Sequence, residues 1–373
     1  MRGNPRGNEK PSENLRVLHV AETCKGGVGS AIRDIVNGAS GRGMVHQVLR
    51  PIEHDIPGIG AHVGVSTFAR RDRGVRSLFS LAKALRLVVE ERRPDVVHAH
   101  STFAGFVARV TLAKMWLKGN LAIAYTAHGW SFDRPGRSLT NAIYALIESV
   151  LSRLCDRIIC LSRHEQKLAL MARISQRKLQ VIYNAHPLTD QSKSLETTGD
   201  GPEYRALFVG RFDRQKGFDI LLEAIHLLSD TGIKFTIIGE AVRDGAPNLD
   251  LPARVEILGW QSPEVVYSYM RRATVLIVPS RWEGFALAPL EAMCLGTPVL
   301  SSDASSLPEA VIEGVSGKCF KSGSAGELAA VLRGTTIDEW AAMGIQAEQF
   351  CKAAFSPDAM LDATYKLYRE IST

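Results

Sequence analysis

The stretch Val275-Leu-Ile-Val-Pro-Ser-Arg-Trp-Glu-Gly-Phe-Ala-Leu-Ala-Pro-Leu-Glu-Ala-Met-Cys-Leu-Gly-Thr-Pro-Val-Leu-Ser301 reads as a complete strand–turn–helix–strand unit. Four consecutive apolar residues, 275–278, are what a strand buried on both faces requires. Pro279 and Gly284 interrupt the run, and a helix is expected from about Pro289. Gly296-Thr-Pro298 then stops the helix and opens the next strand, at 298–301. Two short strands joined by one helix make a parallel crossover, the building block of a doubly wound sheet.

The same alternation continues in both directions. In the first half, strands are expected at residues 15–21, 45–49, 95–99, 121–127, 157–161 and 180–183. A helix is expected at 77–91, where Leu78, Leu81, Ala82, Leu85, Val88 and Val89 share one face. In the second half, strands are expected at 205–209, 234–238, 255–258, 275–278 and 298–301, with helices at 218–229 and 263–272. The segment 357–371 places Met360, Leu361, Thr364, Leu367 and Tyr368 at helical spacing. The expected class is therefore α/β, with two doubly wound, Rossmann-like domains. The expected divisions are a disordered tail at 1–14, a first domain at 15–186, a polar linker at 187–203 and a second domain at 204–356. The helix at 357–373 is expected to pack back on the first domain. In such a pair, ligands favour the cleft at the carboxyl ends of the sheets.

Bulk properties agree with two domains and narrow the class. A chain of 373 residues exceeds one ordinary core. No stretch reaches the roughly 20 uninterrupted apolar residues of a membrane-spanning helix, and the polar first residues lack the apolar run of a signal peptide. The six cysteines are scattered. Cys155 and Cys160 match no common zinc spacing, so reduced, packed thiols are expected. A net charge of +6 fits anionic partners without choosing among phosphates, acidic lipid and nucleic acid, and it also fits an ordinary solvated surface.

Four constellations carry chemistry, each at a strand end or helix start. Lys25-Gly-Gly-Val-Gly-Ser30 follows the first strand, where Gly26 and Gly27 let the backbone approach a phosphate at a helix N-terminus. It departs from the dinucleotide fingerprint, because Ile32 stands where the third glycine is needed. In Val209-Gly-Arg-Phe-Asp-Arg-Gln-Lys-Gly217, Arg211 and Lys216 follow Gly210 as candidate diphosphate ligands. Glu283 and Glu291 are carboxylate acceptors for vicinal hydroxyls, separated by a small apolar interval. Thr126-Ala-His-Gly129 offers His128 at the end of a strand. A plain strand–helix turn, a pair of solvated cations and a structural histidine are the bland readings of the first, second and fourth.

The Glu283 to Glu291 segment, with its Gly-Phe and the later Gly-Thr-Pro-Val, resembles the E-x7-E signature of retaining glycosyltransferases of the GT-B fold. The chain as a whole is similar to glycosyltransferase family 4, over nearly all of 15–368 and most densely from 206 to 311. That resemblance implies transfer from a nucleoside-diphosphate sugar, with a UDP- or GDP-sugar as co-substrate, no other cofactor and no metal. It implies His128, Arg211, Lys216 and Glu283 as catalytic residues. His128 would contact the transferred sugar, Arg211 and Lys216 the diphosphate, and Glu283 the sugar hydroxyls. Gly26, Gly27, Gly210, Gly284, Phe285, Ala286 and Glu291 would bind the donor, with Glu291 on the ribose. Departures are Ala288-Pro-Leu290 before the second Glu and Ser305-Ser-Leu-Pro-Glu309 in place of a Gly-rich turn. They bear on donor identity more than on reaction type.

The acceptor implied is a glycan or lipid-linked glycan of bacterial exopolysaccharide or lipopolysaccharide biosynthesis. Arg70, Arg71, Arg73 and Arg76, with a second basic–aromatic loop of Trp130, Phe132, Arg134 and Arg137, form a candidate patch for anionic lipid. The expected location is the cytoplasm, with this patch a candidate contact with the inner face of the plasma membrane. Two other readings stay open: a GT-B sugar-nucleotide epimerase or phosphorylase, and a catalytically idle GT-B binding module. A nucleic-acid partner is not expected, because the basic residues form no single aromatic-interleaved stripe.

Overall fold

A computed structural model describes residues 14–70, 74–134, 136, 138–185, 203–241 and 251–373. The tail at 1–13 and residues 187–202 of the expected linker lie outside the described residues. The chain divides into two units, Met1–Asn184 with Asp358–Thr373, and Ala185–Pro357.

In the first unit the apolar runs become β1 (Leu15–Ala21), β2 (Met44–Pro51), β3 (Gly64–Phe68), β4 (Val96–His100), β5 (Ala122–Thr126), β6 (Arg157–Cys160) and β7 (Leu179–Val181). They pair in parallel in the order β3-β2-β1-β4-β5-β6-β7. The second unit holds β8 (Arg205–Val209), β9 (Lys234–Ile238), β10 (Val255–Ile257), β11 (Val275–Val278), β12 (Val299–Ser302) and β13 (Gly317–Phe320). Their order is β10-β9-β8-β11-β12-β13, again all parallel. Central strands such as β4, β5 and β11 are buried along their whole length, which is why unbroken apolar runs betray them.

Each sheet reverses direction once, between β1 and β4 in the first and between β8 and β11 in the second. At such a reversal the flanking helices leave on opposite faces, and a crevice opens at the carboxyl ends of the two strands. The four chemistry-bearing loops follow β1, β5, β8 and β11. Three of these four strands flank a reversal, and β5 lies next to β4.

The terminal helix Pro357–Ser372 belongs to the first unit. It buries Met360, Leu361, Thr364, Tyr365, Leu367 and Tyr368. A Cβ on Gly38 would stand 2.4 Å from Leu361 Cδ1, so glycine there admits the helix. Tyr365 donates its hydroxyl proton to Ile35 O, Arg42 pairs with Asp358 at 2.8 Å and also with Asp362, and Tyr368 OH lies 2.7 Å from His98 Nδ1.

Candidate active site

In the second unit, the loop after β8 is folded onto the turn after β11. Gly217 makes this possible: its φ is 66°, and a Cβ there would fall 1.9 Å from Pro279 O. Only a residue without Cβ lets the backbone beside Lys216 touch the end of β11. Asp213 ties the loop to itself, accepting from the Lys216 amide at 2.9 Å and pairing with the Arg211 guanidinium at 3.0 Å. Arg211 also donates to Gln215 Oε1 at 2.9 Å, and Gln215 Nε2 donates to Trp282 O at 3.2 Å across to the next turn. Arg281 adds a two-pronged bond to Asp219, both contacts at 2.6 Å.

This folding brings Lys216 Nζ to 2.6 Å from Glu283 Oε1. Ser280 Oγ donates to the same carboxylate oxygen at 2.7 Å, and Glu283 is only 7% exposed. A buried carboxylate needs such partners. The family resemblance assigns Glu283 to a sugar and Lys216 to a diphosphate, and in this structure the two side chains also meet each other. Gly284 and Phe285 are buried, and the Phe285 ring lies 5.4 Å from Phe355, so Phe285 anchors the turn by its side chain. Ala286 is the N-cap of the helix Leu287–Cys294, which carries no capping side chain and no acidic residue in its first turn. Glu291 sits half-buried within that helix. Asp213, Gln215 and Ser280 were not singled out in the sequence, and no motif marks them.

In the first unit, Gly26 takes a φ of 70° and starts the helix Gly27–Asn37, also without a side-chain cap, and both glycines are exposed. The exit of β5 turns sharply: His128 has φ 54° and Gly129 φ 101°. Left-handed backbone at a non-glycine residue is uncommon and has to be held by its surroundings. Here the holder is Glu165. Its carboxylate oxygens accept from Gly129 N and Leu161 N, each at 2.7 Å, and its carbonyl accepts from Trp130 Nε1 at 2.9 Å. Burial pushes the Glu165 carboxyl up to about 7, against the pull of its two backbone donors. Ser162-x-x-Glu165, where Ser162 Oγ accepts from Glu165 N at 3.0 Å, is the sequence signal that would have found it. Burial holds the His128 imidazole down to about 4, so it is neutral near pH 7.

The expected lipid patch is rearranged. Arg70 turns inward to Glu22 at 2.9 Å, with side chains 13% and 9% exposed, and its amide faces Glu53. A guanidinium used this way braces the loop after β1 and is not offered to a lipid surface. Arg71, Arg73 and Arg137 lie outside the described residues. Trp130 is core, 3% exposed and stacked on Phe132, which is itself only partly buried. Arg76 is exposed at the start of the helix Val75–Arg92. Beside it an apolar groove runs between that helix and Thr102–Thr111, with Phe79 72% and Val110 49% exposed and Lys83 and Arg86 on its rim.

Comparison with known proteins places these features. Residues 25–189 match the model of Glycosyltransferase Family 4, and residues 192–354 match that of Glycosyl transferases group 1. An uncharacterized 41.2 kDa protein in the cps region of Klebsiella pneumoniae is 31% identical over 95% of this chain and 99% of its own. The chain belongs to glycosyltransferase family 4. Another relative, the UDP-Gal:alpha-D-GlcNAc-diphosphoundecaprenol alpha-1,3-galactosyltransferase of Escherichia coli, is 26% identical over 64% of this chain and 65% of its own. Among solved structures, Anabaena Alr3699/HepE in complex with UDP and glucose superposes with a TM-score of 0.78 at 19% identity, over 95% of this chain and 100% of that one. The fold of this family 4 glycosyltransferase is GT-B, two Rossmann-like halves. Among the described residues no helix is long and apolar enough to cross a membrane.

Proposed function

We propose that this glycosyltransferase moves a hexosyl unit from a nucleoside-diphosphate sugar to a glycan or lipid-linked acceptor, with retention at the anomeric carbon and without a metal ion. The observation that carries the reading is the Lys216–Glu283 contact, 2.6 Å long, at the direction reversal of the second sheet with Arg211 on the same loop. Cleaving the anomeric C–O bond places negative charge on the departing diphosphate. Two preorganised cations beside uncapped helix N–H groups supply the compensating charge that a divalent metal would otherwise provide. Glu283, held in one rotamer by Lys216 and Ser280, accepts from hydroxyls of the donor sugar, and Glu291 accepts from the ribose. His128, neutral and fixed by Glu165, contacts the transferred sugar. Attack from the leaving-group face, with the diphosphate taking the acceptor proton, gives retention and needs no carboxylate nucleophile.

The UDP-galactose donor of the Escherichia coli relative and the UDP bound to Anabaena HepE support a UDP-sugar, and the Escherichia coli relative supports a lipid diphosphate acceptor. The relative in the Klebsiella pneumoniae cps region and the Escherichia coli lipid-linked galactosyltransferase support a place in bacterial surface polysaccharide synthesis. For the membrane, the apolar groove lined by Lys83 and Arg86, with one acidic residue, Glu90, among its lining and Arg76 exposed on the same helix, pairs insertable side chains with mostly basic ones, the combination that holds a helix face on anionic lipid. Thermal shift against a panel of UDP-, GDP- and ADP-sugars tests the donor assignment: one nucleotide class stabilises the protein, and stabilisation by none opposes the reading.

A further inference from the structure

Four histidines form one unbroken hydrogen-bonded row inside the first unit. His46 on β2 meets His19 on β1 through Nδ1 and Nε2 at 2.8 Å. His19 Nδ1 meets His100 Nε2 on β4 at 3.0 Å, and His100 Nδ1 meets His128 Nε2 at 3.0 Å. Every contact therefore pairs Nδ1 of one ring with Nε2 of the next. The first three rings are buried, with Tyr365 and Tyr368 of the terminal helix packed against the row. His98 lies beside His100 but outside the row, its nitrogens engaged by Tyr368 OH at 2.7 Å and Thr126 Oγ1 at 2.8 Å. Burial lowers all four members well below the ordinary histidine range, His46 and His128 to about 4, and each ring is neutral.

A neutral imidazole carries one N–H and one lone pair, and each contact in the row needs one of each. The proton position on any ring therefore dictates it on all the others. Two arrangements satisfy every contact, all protons on Nδ1 or all on Nε2. The far end decides between them. Among the described residues His46 Nε2 is buried with no hydrogen-bond partner. Protons on Nε2 would strand an N–H donor there; protons on Nδ1 leave a bare lone pair, the milder of the two defects.

We infer that His46, His19 and His100 are positioning residues that hold His128 as its Nδ1–H tautomer, so that it presents a hydrogen-bond donor to the transferred sugar. This rests on the reading of His128 as a sugar contact. Among the described residues the protein offers His128 Nδ1 no partner of its own, leaving that donor for a ligand. A donor of fixed polarity selects a sugar that places an oxygen acceptor against it, and it cannot act as a general base.

Full-length protein labelled with 15N-histidine tests this at about pH 7, because long-range 1H–15N correlations report which ring nitrogen bears the proton. The expected result is Nδ1–H at His128, His100, His19 and His46 together. Nε2–H at His128, or mixed tautomers along the row, would overturn the inference. His100→Phe removes the ring nitrogens while keeping the ring. His128 then shifts toward the Nε2–H form that free histidine favours, and an unchanged Nδ1–H form counts against the relay. Should the variant fold poorly, the wild-type spectrum alone decides. Stoichiometric zinc in the purified protein would also overturn it, since His19, His98 and His100 place ligand atoms within 4.8 Å of one another and a metal would take lone pairs the row requires. No arm reads turnover, and failure here leaves the transferase reading standing.

Discussion

Lys216 and Glu283, 67 positions apart in the chain, are joined Nζ to Oε1 at 2.6 Å. The pair exists because β11 lies directly beside β8 in the sheet and Gly217 lets their loops touch. In the proposed mechanism Lys216 faces developing charge on the diphosphate while fixing the carboxylate that reads the sugar. Lys216→Ala is expected to lower kcat/KM by about 100- to 1000-fold, the scale of losing one preorganised charge-stabilising group. Steady-state kinetics with the true donor provide the check. Full turnover by this variant would refute the assignment.

Gly217→Ala tests the geometry rather than the chemistry. Alanine must adopt a φ of 66° and place its Cβ 1.9 Å from Pro279 O. The strained backbone alone costs about 1–3 kcal/mol, and the steric overlap forces the loop away from β11. Urea unfolding is expected to show the loss in stability, and kinetics a fall in activity, because Lys216 moves with the loop. Wild-type values in both would show that the close approach is dispensable.

The first unit makes the protein acid-sensitive. Burial lowers His19 and His100 well below the usual value, His98 to about 3, and His46 and His128 to about 4. Below an unfolded value of about 6.5, the unfolded chain takes up protons that the folded chain refuses. Stability therefore falls as pH drops from about 6.5 toward about 4, by about 1.4 kcal/mol per pH unit for each such group. Glu165, raised to about 7, works oppositely: its contribution is complete below the unfolded carboxylate value and fades as pH rises toward about 7. Burial also raises the Asp34 carboxyl, which acts with Glu165, and lowers His54, which acts with the other histidines; six groups against two leave acid destabilisation as the net effect. Unfolding curves across this range that are flat, or that strengthen in acid, would contradict it.

Lipid contact is expected to follow the groove and not Arg70. Arg76→Ala and Arg86→Ala should each weaken binding to anionic vesicles by about 1 kcal/mol, and Phe79→Asp should weaken it further. Arg70→Ala should leave vesicle sedimentation of the folded protein unchanged but lower its melting temperature, because Glu22 loses its partner at 2.9 Å. Sedimentation unaffected by Arg76, Arg86 and Phe79 would remove the groove as a membrane surface.

These outcomes depend on features of unequal visibility in the sequence. Strands buried on both faces, such as Val275–Val278, were legible because continuous apolar runs have few other uses. The edge strands Gly64–Phe68 and Gly317–Phe320 were not, since the first is largely exposed and the second mixes lysine and cysteine between its buried ends. Glu283 in a turn and Glu291 in the following helix could be read from Gly284 and Gly296 alone. The Lys216–Glu283 contact could not, because it follows from sheet order, and strand spacing leaves that order open. Arg70 misled for a related reason: a run of arginines looks like one surface, yet a single member turned inward to Glu22. The histidine row left a trace in Val-Val-His-Ala-His100, two histidines on one face of a buried strand, but only His100 joins the row, and its link to His19 and onward to His46 crosses β1 and β2, which only the fold aligns.

The most direct test of the account is the anomeric configuration of the product, followed by proton NMR while the enzyme consumes its nucleotide sugar in the presence of EDTA. The account predicts turnover that survives chelation and a new glycosidic bond with the donor's own anomeric configuration. An inverted product, or loss of turnover on chelation that added metal restores, would contradict it.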